Sequence, residues 1–413
     1  MHERLLYVLA VVLALCACAR DAVIEFPSNM SEMPAADASY YDNPTLYPDQ
    51  SANQPLAKMV ESITATAVAE GIPGVVMLVN SAAEGTWVSA RGLIDLKNKI
   101  PMKPNSLSRI GSITKMFTAV IVHQFAEEGK VSLDDPVSKY LPEEMTHGIT
   151  NAASASIRQL LGHTSGIANY TDHFDIPALC KSGSNKGLTA PKVLDLVRSA
   201  SETFAPGEGC RYSNTNYILL GLIAERVIGK TMKDLYQEKI FTPLRLKSTY
   251  YDPDNPVQRG IARGYVDYPS GNLIDTTDFD QATRTPDGGI VSDVYDMATF
   301  INALVQDRRL LSQAEYVEMV GEVRSDERLG CLDGLGILES RLPNGNFVYC
   351  YSGGHFGYTA ELWYVPSTKV TPAYLINGSS EIGTYVKPIH NLKSRAFTML
   401  FDVDRDMVDR TGS

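Results

Sequence analysis

Ser112 and Lys115 stand three positions apart in Gly111-Ser112-Ile113-Thr114-Lys115, at the head of a long apolar stretch. On a helix, positions i and i+3 lie one above the other, so the amine reaches the alcohol. A serine hydroxyl is a poor nucleophile until a neighbouring base takes its proton, and a deprotonated lysine is such a base. The tetrapeptide alone is a weak signal, since roughly one Ser-x-x-Lys arises by chance in a chain of this length. An N-cap serine followed by a solvated lysine has the same spelling. The neighbouring residues decide between the two. From Ser112 to Ala126, Lys115 is the only formally charged residue. Ile113, Met116, Phe117, Val120 and Ile121 form one apolar face, and Ala119, Val122 and Ala126 keep the other small or apolar. A helix uncharged all round is a buried helix. Its single lysine must be paired, neutralised or lining a cavity. Desolvation and the positive end of the helix dipole both disfavour the ammonium, moving it below its ordinary value of about 10.4. The backbone N–H at the helix start is a candidate oxyanion donor.

Two further constellations suit the same chemistry. Tyr212-Ser213-Asn214 follows Phe204-Ala205-Pro206-Gly207 and precedes a helix beginning near Asn216. A tyrosine oxygen relays protons, and the Asn214 amide can orient Lys115 and bind a substrate carbonyl. The similar Tyr41-Asp42-Asn43 lies before any core element and is set aside. The third constellation is His355-Phe356-Gly357 within Ser352-Gly353-Gly354-His355-Phe356-Gly357-Tyr358, the one His-x-Gly among seven histidines. Glycines at this density beside a strand mark a close approach to the backbone. The Tyr358 N–H is then a candidate second oxyanion donor. Ser112, Lys115 and Tyr212 are thus the expected catalytic residues. Asn214, His355, Phe356, Gly357 and Tyr358 are the expected substrate-binding ones.

The elements that must position these residues can be read from periodicity. Leu56, Met59, Val60 and Ile63 have helical spacing, and 74–79 with 86–94 read as a strand hairpin. The pattern then turns helical: 112–128, a loop-rich stretch at 162–187, and a helix over 216–228. Ser292 is expected to cap a helix running to about Leu304. Strands return at 335–341, 346–352, 358–365 and 373–377, with a turn at Pro343-Asn344-Gly345, before a last helix over 385–400. Strands at both ends with helices between predict an α+β fold, in which one antiparallel sheet is built from both chain ends. The sheet region is expected at 53–110 and 285–402, around a mainly helical region at 111–284.

The 413 residues, 44% apolar and 21% charged, are enough to bury a sizeable core. A net charge of −11 argues against a nucleic-acid partner. Arg4 precedes an apolar run, Leu5 to Leu15, that is too short to span a bilayer and reads as an export signal within residues 1–19. Leu15-Cys16-Ala17-Cys18-Ala19 has two readings: a lipoprotein box with Cys18 as lipid anchor, or a site for ordinary signal peptidase. Residues 20–52 read as a polar tether. The expected setting is the cell envelope or periplasm, with the chain acting as a monomer on small substrates. In an oxidising compartment Cys180 with Cys210, and Cys331 with Cys350, form two locally spaced pairs, although four cysteines allow three connectivities. No His/Cys cluster has zinc spacing, so neither metal nor cofactor is expected. The chain lacks the Gly-x-Ser-x-Gly elbow of α/β-hydrolases.

In this order the three motifs resemble those of the class C-type serine beta-lactamase and D-alanyl-D-alanine carboxypeptidase family. The resemblance extends through Val131–Pro142, Ile157–Gly166, Tyr212–Tyr217, Ile240–Leu244, Asp287–Ser292 and Gly334-Leu335-Gly336, nearly the whole chain from 55 to 400. It implies the beta-lactamase/transpeptidase-like fold and an acyl-enzyme mechanism carried by Ser112, Lys115, Tyr212, Asn214, His355 and Gly357. His163 falls in a landmark segment and is read as structural. Many members have Lys-Thr-Gly where this chain has His355-Phe356-Gly357, and no arginine follows Gly336 in Ile337-Leu338-Glu339. The resemblance implies a D-alanyl-D-alanine carboxypeptidase-like action on cell-wall-type peptides. The alternatives are an esterase or weak beta-lactamase and, in another class, a non-catalytic muropeptide-binding protein.

Overall fold

The computed structural model describes residues 23–24, 55–81, 85–173, 189–251, 260–267, 273–277, 285–321, 324–326, 331–342, 345–379 and 386–411. The expected export signal, Cys18, most of the tether and Cys180 lie outside them, as does the side chain of Cys331; the cysteine pairs are therefore not described. Within the expected tether, Val23–Ile24 pairs antiparallel with Leu273 and Ile274.

The frame is a nine-stranded sheet built from both ends of the chain. Its strands are β1 (Gly74–Ser81), β2 (Gly85–Asp95), β3 (Ile100–Pro101), β4 (Arg324–Asp326), β5 (Cys331–Asp333), β6 (Leu338–Arg341), β7 (Phe347–His355), β8 (Tyr358–Tyr364) and β9 (Val370–Ile376). They lie in the order β4-β5-β6-β7-β8-β9-β1-β2-β3, with every pairing antiparallel. The N-terminal hairpin β1–β2 thus docks beside the C-terminal strand β9, with Val75 opposite Ile376.

The helices used below are α1 (Pro55–Ala69), α2 (Thr114–Glu127), α3 (Asn214–Ile228), α4 (Val294–Ile301), α5 (Gln313–Val320) and α6 (Val386–Thr411). The sheet is covered on both faces, so β1 reads Gly-Val-Val-Met-Leu-Val and is buried almost throughout. Its alternate side chains enter different cores. Val76 and Leu78 join α2, α3 and α4 on one face, whereas Val75, Met77 and Val79 join α1 and α6 on the other. In β7, Tyr349 and Tyr351 point to the α2 face. By the same alternation Gly353 and His355 face that way too.

On the opposite face Ser352 donates to Glu361 Oε2 at 2.7 Å, and Lys393 of α6 reaches Glu361 Oε1 at 2.7 Å. This buried carboxylate pins α6 to the sheet. A small sheet of Ser108–Arg109, Ile290–Ser292 and Tyr250–Tyr251 delivers the chain to the Ser112 turn.

Several expected elements shift. The cap of α4 is Asp293, whose carboxylate accepts from the Tyr295 and Asp296 N–H groups, while Ser292 ends a strand. Both are capping residues by type. Asp293 wins because Ser292 is still paired to Ser108. Helix α3 begins at Asn214 rather than 216. The expected strand 335–341 starts only at Leu338, because a tight turn joins the Gly334 N–H to the Ile337 carbonyl at 2.9 Å. Gly336 in that turn has φ +108 and packs on α2, where a Cβ would lie 2.2 Å from that of Ala119.

Candidate active site

The Ser112 turn is built by glycines on two segments. Gly111 has φ +49, and a Cβ on it would meet the Gly354 carbonyl oxygen at 2.7 Å. A Cβ on Gly353 would meet the Ile110 carbonyl oxygen at 1.9 Å. The close approach that the glycines of β7 permit is therefore with the backbone that carries Ser112. Ser112 lies in a 3-10 turn, Gly111–Ile113, that runs directly into α2. Ser112 is partly exposed, whereas Lys115 is fully buried.

Three acceptors surround the Lys115 nitrogen. Nζ lies 3.1 Å from Ser112 Oγ, 2.7 Å from Asn214 Oδ1 and 2.8 Å from the Asp287 carbonyl oxygen. A neutral amine keeps two N–H donors and one lone pair. With the Asn214 and Asp287 oxygens taking the two donors, the lone pair is left to face the Ser112 hydroxyl. Burial pulls the amine down to about 8, and the negative charge of Asp287 acts in the opposite sense. The Tyr212 hydroxyl donates to Ser112 Oγ at 2.7 Å, and its ring centroid is 4.8 Å from Lys115 Nζ. Ser112 Oγ thus lies within hydrogen-bond reach of both an amine and a phenol.

The Tyr212 segment has its own supports. The Ser213 N–H donates to His163 Nδ1 at 3.2 Å, and the His163 ring lies 4.5 Å from that of Tyr212. The His163 carbonyl accepts from the Arg211 N–H at 2.9 Å. His163 adopts φ +55, a conformation rare outside glycine, to do this. The Asn214 N–H donates to Asn169 Oδ1 at 3.0 Å and its side-chain amide reaches Thr171 Oγ1 at 3.4 Å, which turns Oδ1 toward Lys115. Asn169, Thr171 and the Asp287 carbonyl belong to no motif in the sequence that marks them as site residues. Asn169 and Thr171 lie just past the landmark ending at Gly166, and a backbone oxygen leaves no trace in side-chain identity.

His355, Phe356, Gly357 and Tyr358 form the hairpin joining β7 to β8, with His355 opposite Tyr358. Both His355 ring nitrogens are buried, and the Phe356 backbone beside the ring favours its charged form. Burial, and then the Arg109 cation, hold His355 down to about 3, so the ring is neutral. Gly357 has φ +80, and a Cβ there would strike Gly264 and Tyr265 backbone at 2.6 Å. The Phe356 carbonyl accepts from Thr276 Oγ1 at 3.0 Å. The Tyr358 side chain is committed elsewhere, since its hydroxyl donates to the Ala262 carbonyl at 3.0 Å and Arg109 lies over its ring. The structure therefore joins Ser112, Lys115, Tyr212 and Asn214 directly. It brings the hairpin beside them through the Gly353 and Gly354 contacts, with Gly357 packed against Gly264 and Tyr265 and the Phe356 carbonyl against Thr276.

An antiparallel sheet with helices on both faces, and a serine beside a buried lysine and a tyrosine, define a class of serine hydrolases. The family model described as Beta-lactamase matches residues 56–395, and the chain belongs to that family. Penicillin-binding protein 4* of Bacillus subtilis is 29% identical over 312 residues, covering 72% of this chain and 67% of that protein. The human mitochondrial serine beta-lactamase-like protein LACTB is 27% identical over 57% of this chain, and the chain spans about half, 54%, of its length. Among solved structures, D-amino acid amidase from Ochrobactrum anthropi SV3 superposes with a TM-score of 0.73 at 26% identity, covering 84% of this chain and 99% of that one. The fold is α+β and beta-lactamase/transpeptidase-like. Among the described residues no helix is long and apolar enough to cross a membrane.

Proposed function

We propose that the protein is an acyl-enzyme hydrolase of amide and ester bonds in which Ser112 is the nucleophile, Lys115 its base and Tyr212 the proton relay to the leaving group. The observation that carries this reading is the Lys115 nitrogen, with two fixed oxygen acceptors and Ser112 Oγ as its third neighbour. Ser112 Oγ attacks the substrate carbonyl carbon as its proton passes to Lys115. The tetrahedral oxyanion is held by the Ser112 and Tyr358 N–H groups. The bond to the leaving group breaks as that group takes a proton through Tyr212. Water then attacks the ester on Ser112 and releases the acid.

For substrate, the likeness to penicillin-binding protein 4* supports a D-alanyl-D-alanine carboxypeptidase-like action on cell-wall-type peptides. The apolar leader supports placing that action in the cell envelope. A specific observation favours a second reading. Where many relatives have a lysine, this chain presents the neutral, buried His355. A neutral ring offers a hydrogen bond and no fixed charge for a free carboxylate. That suits an amide or ester whose leaving side is uncharged, and the structural likeness to a D-amino acid amidase agrees with it. The test is to compare D-alanine release from an acyl-D-Ala-D-Ala peptide, ammonia release from D-amino acid amides, and hydrolysis of p-nitrophenyl esters. Turnover of none of the three would sink the hydrolase reading. D-alanine release exceeding the other two would overturn the second reading in favour of the first.

A further inference from the structure

Asp287 contributes more than its carbonyl oxygen. Its side chain is 3% exposed, and its Oδ2 accepts from the Tyr170 hydroxyl at 2.9 Å. Tyr170 is wholly buried and fixed by its own N–H, which donates to Thr215 Oγ1 at 3.0 Å. An acid and an amine are thus enclosed together beneath Ser112, tied through one residue, since Lys115 Nζ also bonds the Asp287 backbone. We propose that the Asp287 carboxylate, oriented by Tyr170, is a positioning residue that acts through Lys115 and sets how firmly the amine holds its proton.

The charges around the pair single out this carboxylate. Tyr212, Tyr217 and Asn214 face the amine from α3 and the segment before it, and Ser112 faces it from its own turn. Tyr236 lies beyond Thr118, whose hydroxyl it meets at 2.6 Å, and His163 lies behind Tyr212. Among the described residues, Asp287 supplies the charge that favours the ammonium against burial. Burial in turn raises Asp287, while Lys115 and the Thr285 and Tyr170 hydroxyls favour its anion. The two groups compete for one proton in a dry space. An aspartate here keeps the amine from being neutralised by burial alone.

The inference rests on the proposed role of Lys115 as base, and the test separates the two. In lysine-labelled protein, the Lys115 resonance is titrated by NMR in wild type, Asp287→Asn and Tyr170→Phe, alongside the pH dependence of kcat/KM. Removing the anion removes what holds the proton, so the Asp287→Asn titration moves to lower pH by about one unit or more, a tenfold change in proton affinity. Tyr170→Phe weakens the anion and moves it the same way by less. The acid limb of kcat/KM follows both. An unchanged Lys115 titration in folded Asp287→Asn overturns the inference; should that variant fail to fold, an unchanged titration in Tyr170→Phe does so. A wild-type activity limb that does not track the Lys115 resonance overturns the base assignment instead.

Discussion

The Gly353 backbone and the Ile110 carbonyl are in contact, close enough that a methyl group on Gly353 would sit 1.9 Å from the oxygen. Because Ile110 immediately precedes the Ser112 turn, strand β7 sets the height of Ser112 above the sheet. Gly353→Ala is therefore expected to cost about 1–3 kcal/mol of stability, as overpacking does. It is also expected to lower acylation by more than that loss explains, since the turn itself must move. Thermal unfolding and the rate of acylation, measured together, check this. Unchanged acylation in a destabilised protein would show that the contact matters for packing alone.

The amine at Lys115 titrates near 8. At pH 7 on the order of one molecule in ten then carries the neutral base. Removing protons supplies the active form, so kcat/KM is expected to rise with pH through a limb near 8 and to level off above it. Lys115→Met keeps the volume and removes the base. It is expected to lower kcat/KM by about 10²–10⁴-fold, the usual worth of a positioned base, and to cost about 1–3 kcal/mol of stability because the Asn214 and Asp287 oxygens lose their donor. A flat profile from pH 6 to 9 would argue against the assignment.

His355 is neutral down to about 3. No ionisation of an ordinary histidine near 6.5 is therefore expected in the pH profile for an uncharged amide or ester. His355→Gln keeps a neutral hydrogen-bonding side chain and is expected to retain activity within about tenfold, whereas His355→Leu loses more, having no polar atom to offer. An activity limb near pH 6.5 that disappears in His355→Gln would contradict a neutral role.

The apolar surroundings of Lys115 made its burial legible from sequence, because no other charge occurs between Ser112 and Ala126. The sheet assembled from both termini was legible for a similar reason, as its strands alternate or run apolar. What could not be read was contact at long range. The glycines of Ser352–Tyr358 announced a close approach without saying to what, and the partner lies more than two hundred residues earlier at Ile110 and Gly111. The Asp287 carbonyl and Asn169 serve the site through a backbone oxygen and a loop amide. Neither has a periodicity to betray it. The shift of the α4 cap from Ser292 to Asp293 has the same origin, because the pairing of Ser292 with Ser108 is a tertiary fact.

On the proposed mechanism Ser112 forms a covalent acyl bond because Lys115 takes its proton. Intact-mass analysis after exposure to a fluorescent penicillin, or to an activated D-amino acid ester quenched within seconds, tests this most directly. A single adduct is expected on the wild-type chain, mapping to Ser112, absent in Ser112→Ala and forming far more slowly in Lys115→Met. No adduct on the wild-type chain, under conditions that label a known penicillin-binding relative, would contradict it, as would an adduct that persists at full rate in Lys115→Met.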